Sequence, residues 1–265
     1  MQPEEFIMLC VYILAGVLGL CVGSFLNVVI YRVPNGMNLA KPASHCTRCG
    51  YTLRPYDNIP VLSYLFLRGR CRKCGERISP RYMIVEIVNA LLWLLSVHLF
   101  WKEKIVYAVL SAVVLSTFIC IFFIDIEHML IFDRFVLILA AAGIVAIFFD
   151  AHTVWYDHLI GAVAAGGVFL LIYYLAIWVL DKEGLGFGDV KLAAVTGLLL
   201  GWMKMLFAML IASVVASVVL LILKRVRDDE NGKEYPFGPF IAGGAAIALL
   251  IGDPIIEWYL SLLAF

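Results

Sequence analysis

Charged side chains are scarce in this sequence. Of its 265 residues, 63% are hydrophobic and only 15% are charged, and the mean hydropathy is +0.97. Soluble globular domains average about half apolar and a quarter charged residues. The composition therefore excludes an ordinary soluble domain and predicts a polytopic membrane protein. The net charge of zero adds nothing, because the location of charges matters more than their sum in such proteins.

Other familiar patterns are missing. The start carries Glu4 and Glu5 in place of a basic segment, and no small-residue cleavage site stands out, so we expect no cleavable signal peptide and a first apolar run that stays as an anchor. The sequence has no internal repeats, unlike the repeated halves of many transporters. It also has no glycine-rich nucleotide-binding fingerprint.

What is present is a series of apolar runs near the length of about 20 residues that crosses a hydrocarbon core. They lie near residues 6–30, 83–101, 105–124, 134–150, 158–180, 189–203, 205–223 and 237–252. The run at 189–203 is cut short by Gly201 and Trp202. The predicted fold class is an all-α polytopic membrane protein with about eight transmembrane helices.

Basic residues predict the orientation of these runs. Half of the lysines and arginines lie in the loop from Arg32 to Arg81, which the positive-inside rule places in the cytoplasm. Alternation of the spans then puts residues 125–134, 181–188 and 224–235 on the same side. Asp125 and Asp189 are therefore both expected at the cytoplasmic boundary.

One segment interrupts the apolar pattern. Residues 34–81 combine five prolines, a basic excess and two Cys-x-x-Cys pairs. We therefore predict a first transmembrane helix at 1–33, a small cytoplasmic tetracysteine module at 34–81 and a transmembrane domain at 82–265.

The two cysteine pairs predict a metal site. Their spacing is close to that of zinc ribbons, and each pair is followed by a glycine that lets backbone amides turn towards the thiolates. A redox dithiol is the alternative, but two such pairs in a reducing cytoplasmic loop favour a metal. A site filled by four sulfurs is structural rather than catalytic, and it folds a module too small for its own core. The predicted ligands are Cys46, Cys49, Cys71 and Cys74.

Two carboxylates form the candidate catalytic pair. Asp189 follows a glycine-rich turn at the start of an apolar run, and Asp125 ends another run. An ionisable group at a membrane boundary is a functional-site candidate by default. Two carboxylates brought close share a proton, so one serves as acid and the other as base, as in aspartic proteases. The alternative is that each aspartate only caps a helix or lies in the interface.

The loop around Asp189 is expected to support the pair. Gly184, Gly186 and Gly188 allow a tight turn and close backbone approach, and Lys191 belongs to the same motif. Asp133 is a competing acid, but we interpret it as the cap of a helix starting at Arg134.

Three further stretches carry small, acidic or proline residues, and two of them have two interpretations each. Gly23 and Ser24 favour close helix packing. Glu86, just inside the second run, either pairs with a basic neighbour or belongs to a polar site. The stretch Pro236–Phe240 either starts the last helix or shapes a substrate groove.

Taken together, these motifs closely resemble the bacterial type IV prepilin peptidases, which are bifunctional leader peptidases and N-methyltransferases of the Gly-x-Gly-Asp type of intramembrane aspartyl protease. The resemblance covers nearly the whole chain. It rests on the segments Gly23–Arg32, the tetracysteine loop with Leu67–Cys71, Arg81–Glu86, Asp125–His128, Gly186–Leu192 and Pro236–Phe240.

The resemblance implies a bacterial inner-membrane enzyme, with residues 82–265 as its peptidase domain. The aspartates at positions matching Asp125 and Asp189 would cut the basic leader from type IV prepilins and type II secretion pseudopilins at the cytoplasmic face. The new amino terminus would then be N-methylated with S-adenosyl-L-methionine, whose contact residues the sequence leaves unassigned. The implied partners are these protein substrates and the lipid bilayer, with no nucleic acid.

Two alternatives stay open from the sequence. One is a peptidase without methyltransferase activity. The other is a zinc-containing membrane transporter or assembly factor whose acids form an ion site. A transporter should place its acids near the middle of the bilayer, often in repeated halves, and the sequence shows neither feature.

Overall fold

The computed structural model describes residues 2–101, 104–150, 152–180, 185–227 and 235–263. Within these ranges the chain forms α-helices, one 3₁₀ turn at Pro55–Asn58 and two isolated β-bridges, with no strand. The all-α prediction is confirmed. The helices are α1 (Pro3–Arg32), α2 (Leu62–Phe66), α3 (Arg81–Phe100), α4 (Ile105–His128), α5 (Asp133–Phe149), α6 (Trp155–Leu180), α7 (Phe187–Leu200), α8 (Trp202–Arg227) and α9 (Gly238–Leu263).

Six of the described helices are long and apolar enough to cross a membrane, namely α1, α3, α4, α6, α8 and α9. This fits a multi-pass membrane protein. The predicted runs at 134–150 and 189–203 correspond to α5 and α7, which are shorter, with 17 and 14 residues. At about 1.5 Å per residue, α7 covers roughly 21 Å, less than the hydrocarbon thickness of about 30 Å. It ends at Gly201, whose φ of 76° breaks the helix.

The chain divides into two compact units, Met1–Trp101 and Lys102–Phe265. The first unit contains α1, the cysteine module and α3. The second contains α4 to α9. The three-part division with boundaries after residues 33 and 81 stays a prediction.

In the first unit, α1 packs closely against α3 because α1 carries glycines at the contact. A Cβ atom on Gly19 would lie 2.7 Å from the Ala90 Cα, and one on Gly23 would lie 2.8 Å from the Glu86 Cα. The predicted packing role of Gly23 is therefore confirmed. Buried polar groups bridge the same interface, since Asn89 Nδ2 donates to the Gly19 carbonyl at 2.7 Å.

The second unit is built around α7, which packs against α5, α6, α8 and α9. Its contact with α6 is glycine against glycine, because a Cβ on Gly161 or Gly197 would collide with the backbone of the other helix. This close approach helps to bury much of α7, although it is the shortest helix of the unit. Helix α4, which packs against α5 and α9, is also largely buried. The two most buried helices of this unit therefore carry the two candidate aspartates.

A buried ionic cluster joins helix ends of the second unit. Lys204, at the start of α8, donates to Asp150 at 2.9 Å and pairs with Asp253 of α9 at 3.1 Å. The side chains of Lys204 and Asp150 are 3% and 1% exposed. Tyr107, near the start of α4, donates to Asp150 at 3.4 Å. These groups hold α4, α5, α8 and α9 together at one end of the unit.

Candidate active site and metal centre

Asp125 lies in the last turn of α4, and its side chain is buried. The helix ends at Met129, which has a left-handed backbone conformation and donates its N–H to the Asp125 carbonyl at 2.9 Å. The Asp125 carboxylate accepts a hydrogen bond from the backbone N–H of Gly238, the first residue of α9. The first N–H groups of a helix have no partner within the helix, so the start of α9 has a donor available for this carboxylate.

Asp189 lies in the first turn of α7 and is also buried. Its carboxylate accepts a hydrogen bond from the Gly186 N–H. Gly186 is the N-cap residue, so Asp189 is not the cap that the alternative interpretation described. One of its carboxylate oxygens, Oδ1, has no hydrogen-bond partner among the described residues. A buried acceptor without a partner costs free energy, and a functional role is one explanation for its presence.

The structure brings the two aspartates together at one end of the second unit, where the end of α4 meets the starts of α7 and α9. The two carboxylates interact electrostatically. Ile131 lies beside both helix starts, because a Cβ on Gly188 or Gly238 would come within 3.1 Å of its side chain. A Cβ on Gly238 would also collide with the Asp125 carboxylate. The glycines therefore leave room for the carboxylates, and the catalytic role of the pair stays a prediction.

The motif residues around Asp189 differ from expectation in detail. Gly186 has a φ of −68°, and neither it nor Gly188 is among the glycines of positive φ. What Gly188 provides is close approach to Ile131, whereas Gly184 lies outside the described residues. Lys191 is 2.6 Å from Asp133, so it links α7 to α5, and no described hydrogen bond or ion pair joins it to the aspartates.

The interpretation of Asp133 as a helix cap is wrong. Phe132 is the N-cap of α5, the helix begins at Asp133 itself, and no side chain caps it. Asp133 is exposed and is held by the charge of Lys191. It therefore differs from the two buried aspartates in both environment and partner.

In the first unit, the four predicted ligands converge. The sulfurs of Cys46, Cys49, Cys71 and Cys74 all lie within 4.8 Å of one another and could hold a metal ion. The Cys46–Cys74 and Cys49–Cys71 sulfur distances are 3.8 and 4.0 Å. A tetrahedral zinc with Zn–S bonds of about 2.3 Å separates its sulfurs by about 3.8 Å. These distances fit a tetrahedral four-sulfur site and exclude disulfide bonds.

Each cysteine pair forms the same small turn. The N–H of Gly50 donates to the Cys46 carbonyl and that of Gly75 to the Cys71 carbonyl, both at 2.9 Å. The φ values of Gly50 and Gly75 are 68° and 71°, a conformation that glycine adopts at little cost. The prediction that glycine closes each turn is confirmed.

The turns also direct amide groups at the sulfurs. Hydrogen bonds from the backbone N–H groups of Cys49 and Arg48 lower the pKa of the Cys46 thiol to about 6. Burial, followed by the neighbouring thiols, raises the pKa of Cys74 to about 12. By themselves the four sulfurs therefore hold only part of the negative charge of four thiolates. A divalent cation among them would offset their mutual repulsion.

A buried carboxylate organises the rest of the module. Asp57 accepts hydrogen bonds from Arg72 at 2.6 Å and from Tyr51 at 2.9 Å. Burial opposes ionisation of Asp57, but these bonds outweigh it, so the pKa of Asp57 lies below its ordinary value. Because Arg72 lies between Cys71 and Cys74, this interaction ties the second cysteine turn to the centre of the module.

Glu86 takes its described hydrogen bonds from a backbone group and a hydroxyl. Its carboxylate accepts the backbone N–H of Val61 at 2.7 Å and a hydrogen bond from the Ser24 side chain. It therefore joins the cysteine module to α1 and α3. Of the two interpretations of Glu86, these contacts support the polar site, because its partners are a backbone N–H of the cysteine module and a hydroxyl of α1.

Sequence reasoning missed several of these contacts. The hydrogen bond from the Gly238 amide to Asp125 was not predicted, because the surrounding stretch was expected to start a helix or shape a groove. The glycine between Phe237 and Pro239 was a signal of close approach. The buried partners of Lys204 were also missed. The signal there was a lysine between two apolar runs, which needs a counter-charge if it is buried.

Comparisons with known proteins agree with this architecture. Residues 17–100 match the family model described as Bacterial Peptidase A24 N-terminal domain, and residues 112–221 match the Type IV leader peptidase family. No solved structure matches the chain.

Full-length relatives carry one name, prepilin leader peptidase/N-methyltransferase. The protein of Pseudomonas putida is 38% identical, and the alignment covers 100% of this chain and 97% of the relative. The protein of Pseudomonas aeruginosa is 36% identical over 94% of this chain and 93% of the relative. The protein of Aeromonas hydrophila is 35% identical over 91% of both chains. The resemblance predicted from the motifs is thus confirmed, and the chain belongs to the type IV leader peptidase family.

Proposed function

We propose that this chain is a prepilin leader peptidase and N-methyltransferase in which Asp125 and Asp189 cleave the leader. The observation that carries the proposal is the pairing of these two buried aspartates, one of which has a carboxylate oxygen without a partner among the described residues. The names of the full-length relatives support prepilins as the substrate class, and the family resemblance extends this proposal to type IV prepilins and type II secretion pseudopilins. We further infer that the protein lies in the bacterial inner membrane and acts at the cytoplasmic face.

The geometry suits acid–base hydrolysis of a peptide bond. The ionised aspartate takes a proton from a water molecule as the water oxygen attacks the scissile carbonyl carbon. The protonated aspartate donates to the carbonyl oxygen as negative charge develops there. When the C–N bond breaks, the aspartate that took the proton from water passes it to the departing amine, and the proton on the former carbonyl oxygen returns to the other aspartate. The hydrogen bonds from the Gly238 and Gly186 amides hold the two carboxylates in place through these steps.

The four cysteines are proposed to bind a structural zinc ion. All four coordination positions would be filled by sulfur, so no position is left for a catalytic water. The ion would close the two Cys-x-x-Cys turns onto each other and contribute directly to the folding of residues 34–81.

Methyl transfer is proposed for the same protein, with S-adenosyl-L-methionine as the methyl donor. The donor supplies an activated methyl group, and the acceptor is the amine released by leader cleavage. Two findings support a dual function. The name of the relatives includes both activities, and a separate family model matches the first unit, which does not contain the aspartates.

The test is mass spectrometry of a purified prepilin incubated with the protein and S-adenosyl-L-methionine. The variants are Asp125→Asn and Asp189→Asn, and Asp133→Asn is the matched control because it is a third acid near the same helix starts. Wild type and Asp133→Asn should remove the leader and add one methyl group. Either dyad variant should lose cleavage by at least about 1,000-fold, since the pair acts as one unit.

The alternatives give distinct results. Full cleavage by one dyad variant would refute the dyad. Leader loss without a methyl group in the wild type would leave a peptidase alone. An intact prepilin with folded, membrane-inserted wild-type protein would favour the transporter or assembly factor instead.

Zinc binding is tested separately by metal analysis of the purified protein. The double variant Cys46→Ser/Cys49→Ser should lose the bound metal and melt at a lower temperature. Cys10→Ser is the control, because Cys10 is an exposed cysteine of α1 outside the cluster. Metal retained at the wild-type level by the double variant would refute the proposed zinc site.

A further inference from the structure

The short helix α2 exposes apolar side chains outside the predicted membrane spans. Phe66 is 83% exposed, and Ile59, Leu62 and Leu65 are each about half exposed. The other exposed large apolar residue of the cysteine module is Tyr56, whose ring lies against two arginines. Four apolar side chains gathered within eight residues form a patch that a water-exposed module does not normally keep. We call Ile59, Leu62, Leu65 and Phe66 the α2 patch.

The contact of Val61 with Glu86 fixes the depth of this patch. Val61 is the N-cap of α2, and its N–H donates to the Glu86 carboxylate at 2.7 Å. Glu86 lies in the second turn of α3, roughly 7.5 Å along the axis from the first residue of that helix. Because α3 is long and apolar enough to span a membrane, α2 begins level with the end of a span rather than beyond it.

The backbone at Val61 is itself unusual. Its φ is 61°, a value that a β-branched residue rarely adopts and that needs support from its surroundings. The hydrogen bond to Glu86 supplies that support. The start of α2 is thus held in place by a specific contact with α3.

The surface next to the patch matches a lipid interface. On α3, the side chains of Ile84, Ile87 and Val88 are exposed in the same part of the helix as Glu86, so the span and the module both expose apolar side chains near this depth. Arg68 and Arg70 follow α2 directly and are exposed. Apolar residues that enter the boundary of the acyl chains, with basic residues beside them, are typical of helices that lie on an anionic membrane surface.

We propose that the α2 patch is a membrane anchor of the cysteine module. It inserts into the headgroup layer of the same bilayer that α1 and α3 cross, and Arg68 and Arg70 bind the headgroups of anionic lipids. The anchor holds the four-cysteine site against the membrane surface. This inference is independent of the proposed chemistry, because it rests on exposure, depth and charge alone.

The experiment uses the full-length protein in nanodiscs of phosphatidylethanolamine and phosphatidylglycerol. Phe66→Trp places a fluorophore in the patch, and Thr52→Trp places one at an exposed position beside the first cysteine turn. The signal of the wild-type protein, which has six tryptophans, is subtracted. Quenching by lipids with a doxyl group on the acyl chain is compared with quenching by aqueous iodide.

The lipid quencher should reduce the added fluorescence of the Phe66→Trp protein at least about twofold more than that of the Thr52→Trp protein, and iodide should show the reverse order. Equal lipid quenching of the two variants, or stronger iodide quenching of Phe66→Trp, would place the patch in water and refute the anchor. Protection of the Phe66→Trp fluorophore from both quenchers would mean that protein covers it, which refutes the proposal as well.

The role of the arginines is tested in the same system. Replacing phosphatidylglycerol by phosphatidylcholine should lower the lipid quenching of the Phe66→Trp protein, and the variant Phe66→Trp/Arg68→Gln/Arg70→Gln should show the lower value in both lipid mixtures. Metal analysis of each variant checks that the cysteine site is intact. Lipid quenching that is unchanged by lipid charge would refute binding of anionic headgroups by these arginines.

Discussion

The contact between Gly238 and Asp125 gives the sharpest prediction for the active site. Gly238 donates its backbone N–H to the carboxylate of Asp125, and there is no room for a side chain between them. In Gly238→Ala, the new Cβ would collide with Asp125 Oδ2 and lie 3.1 Å from both the Asp125 Cγ and the Ile131 Cδ1. Relief of this collision requires the carboxylate to retreat by roughly 1 Å, because atoms in ordinary contact lie about 3.5–4.0 Å apart.

The displacement should affect rate more than folding. A shift of about 1 Å in a catalytic group costs on the order of 100-fold in rate. Loss of the hydrogen bond to a charged acceptor costs about 1.5–3 kcal/mol at most, and the retreating carboxylate can keep part of it. We therefore expect Gly238→Ala to cleave prepilin about 100-fold more slowly than wild type, with only a modest decrease in melting temperature.

Gly243→Ala is the matched control. It lies on the same helix, α9, and no atom lies within 4 Å of the position that its Cβ would occupy. This variant should cleave at the wild-type rate and be as stable or more stable, since alanine is favoured over glycine in helices by about 1 kcal/mol. Initial rates of leader removal in proteoliposomes and thermal unfolding measure both effects. A Gly238→Ala protein with wild-type rate would refute the close contact at Asp125.

Two further perturbations test groups away from the aspartates. Lys204→Met leaves the buried carboxylate of Asp150 and the partly buried carboxylate of Asp253 without their cation, so it should destabilise the protein by about 3–5 kcal/mol in thermal unfolding, and an unchanged melting temperature would refute the buried cluster. Asp57 has a folded-state pKa below its unfolded value, so its pairing with Arg72 stabilises the protein at neutral pH and this stabilisation is lost as the pH falls below about 4. The difference in melting temperature between wild type and Asp57→Asn should therefore shrink as the pH is lowered through this range, and a constant difference would contradict the assignment.

The sequence predicted best those features that depend on residue type and spacing alone. The apolar runs located every long helix, because span length is set by bilayer thickness. The two Cys-x-x-Cys pairs predicted a cluster, because the chemistry of four thiols leaves few alternatives, and the glycine after each pair predicted turns that direct backbone amides at the sulfurs. The family followed from the same motifs.

The sequence could not predict contacts that depend on how helices pack. Asp125 and Asp189 were paired by their common depth, but nothing local to either residue indicated the Gly238 amide, which comes from the start of another helix. For Glu86 the sequence left two interpretations open, a basic partner and a polar site. Its partner is a backbone N–H, which the sequence could not identify because nearly every residue type carries one. Such partners leave no mark in a side-chain pattern.

The burial of the seventh helix, α7, also could not be predicted from hydropathy. Hydropathy alone counts α7 as a span, yet it has only 14 residues and is enclosed by α5, α6, α8 and α9. A helix surrounded by protein does not have to match the bilayer thickness, because its ends contact other helices and not lipid. Its start can therefore lie below the membrane surface and hold Asp189 in a buried position.

Stability and reactivity are separated within the second unit. At one end, Lys204 and its two carboxylates hold the helices with charges that satisfy one another. At the other end, Asp125 and Asp189 interact electrostatically without a cation in any described ion pair, and Asp189 keeps an oxygen without a partner among the described residues. Burial of two carboxyl groups that share one proton costs free energy at the second site. The ion cluster holds α4, α5, α8 and α9 together as long as its charges stay paired. Variants at Lys204 should consequently lower stability first, whereas variants at Gly238 should lower the cleavage rate while the protein stays folded.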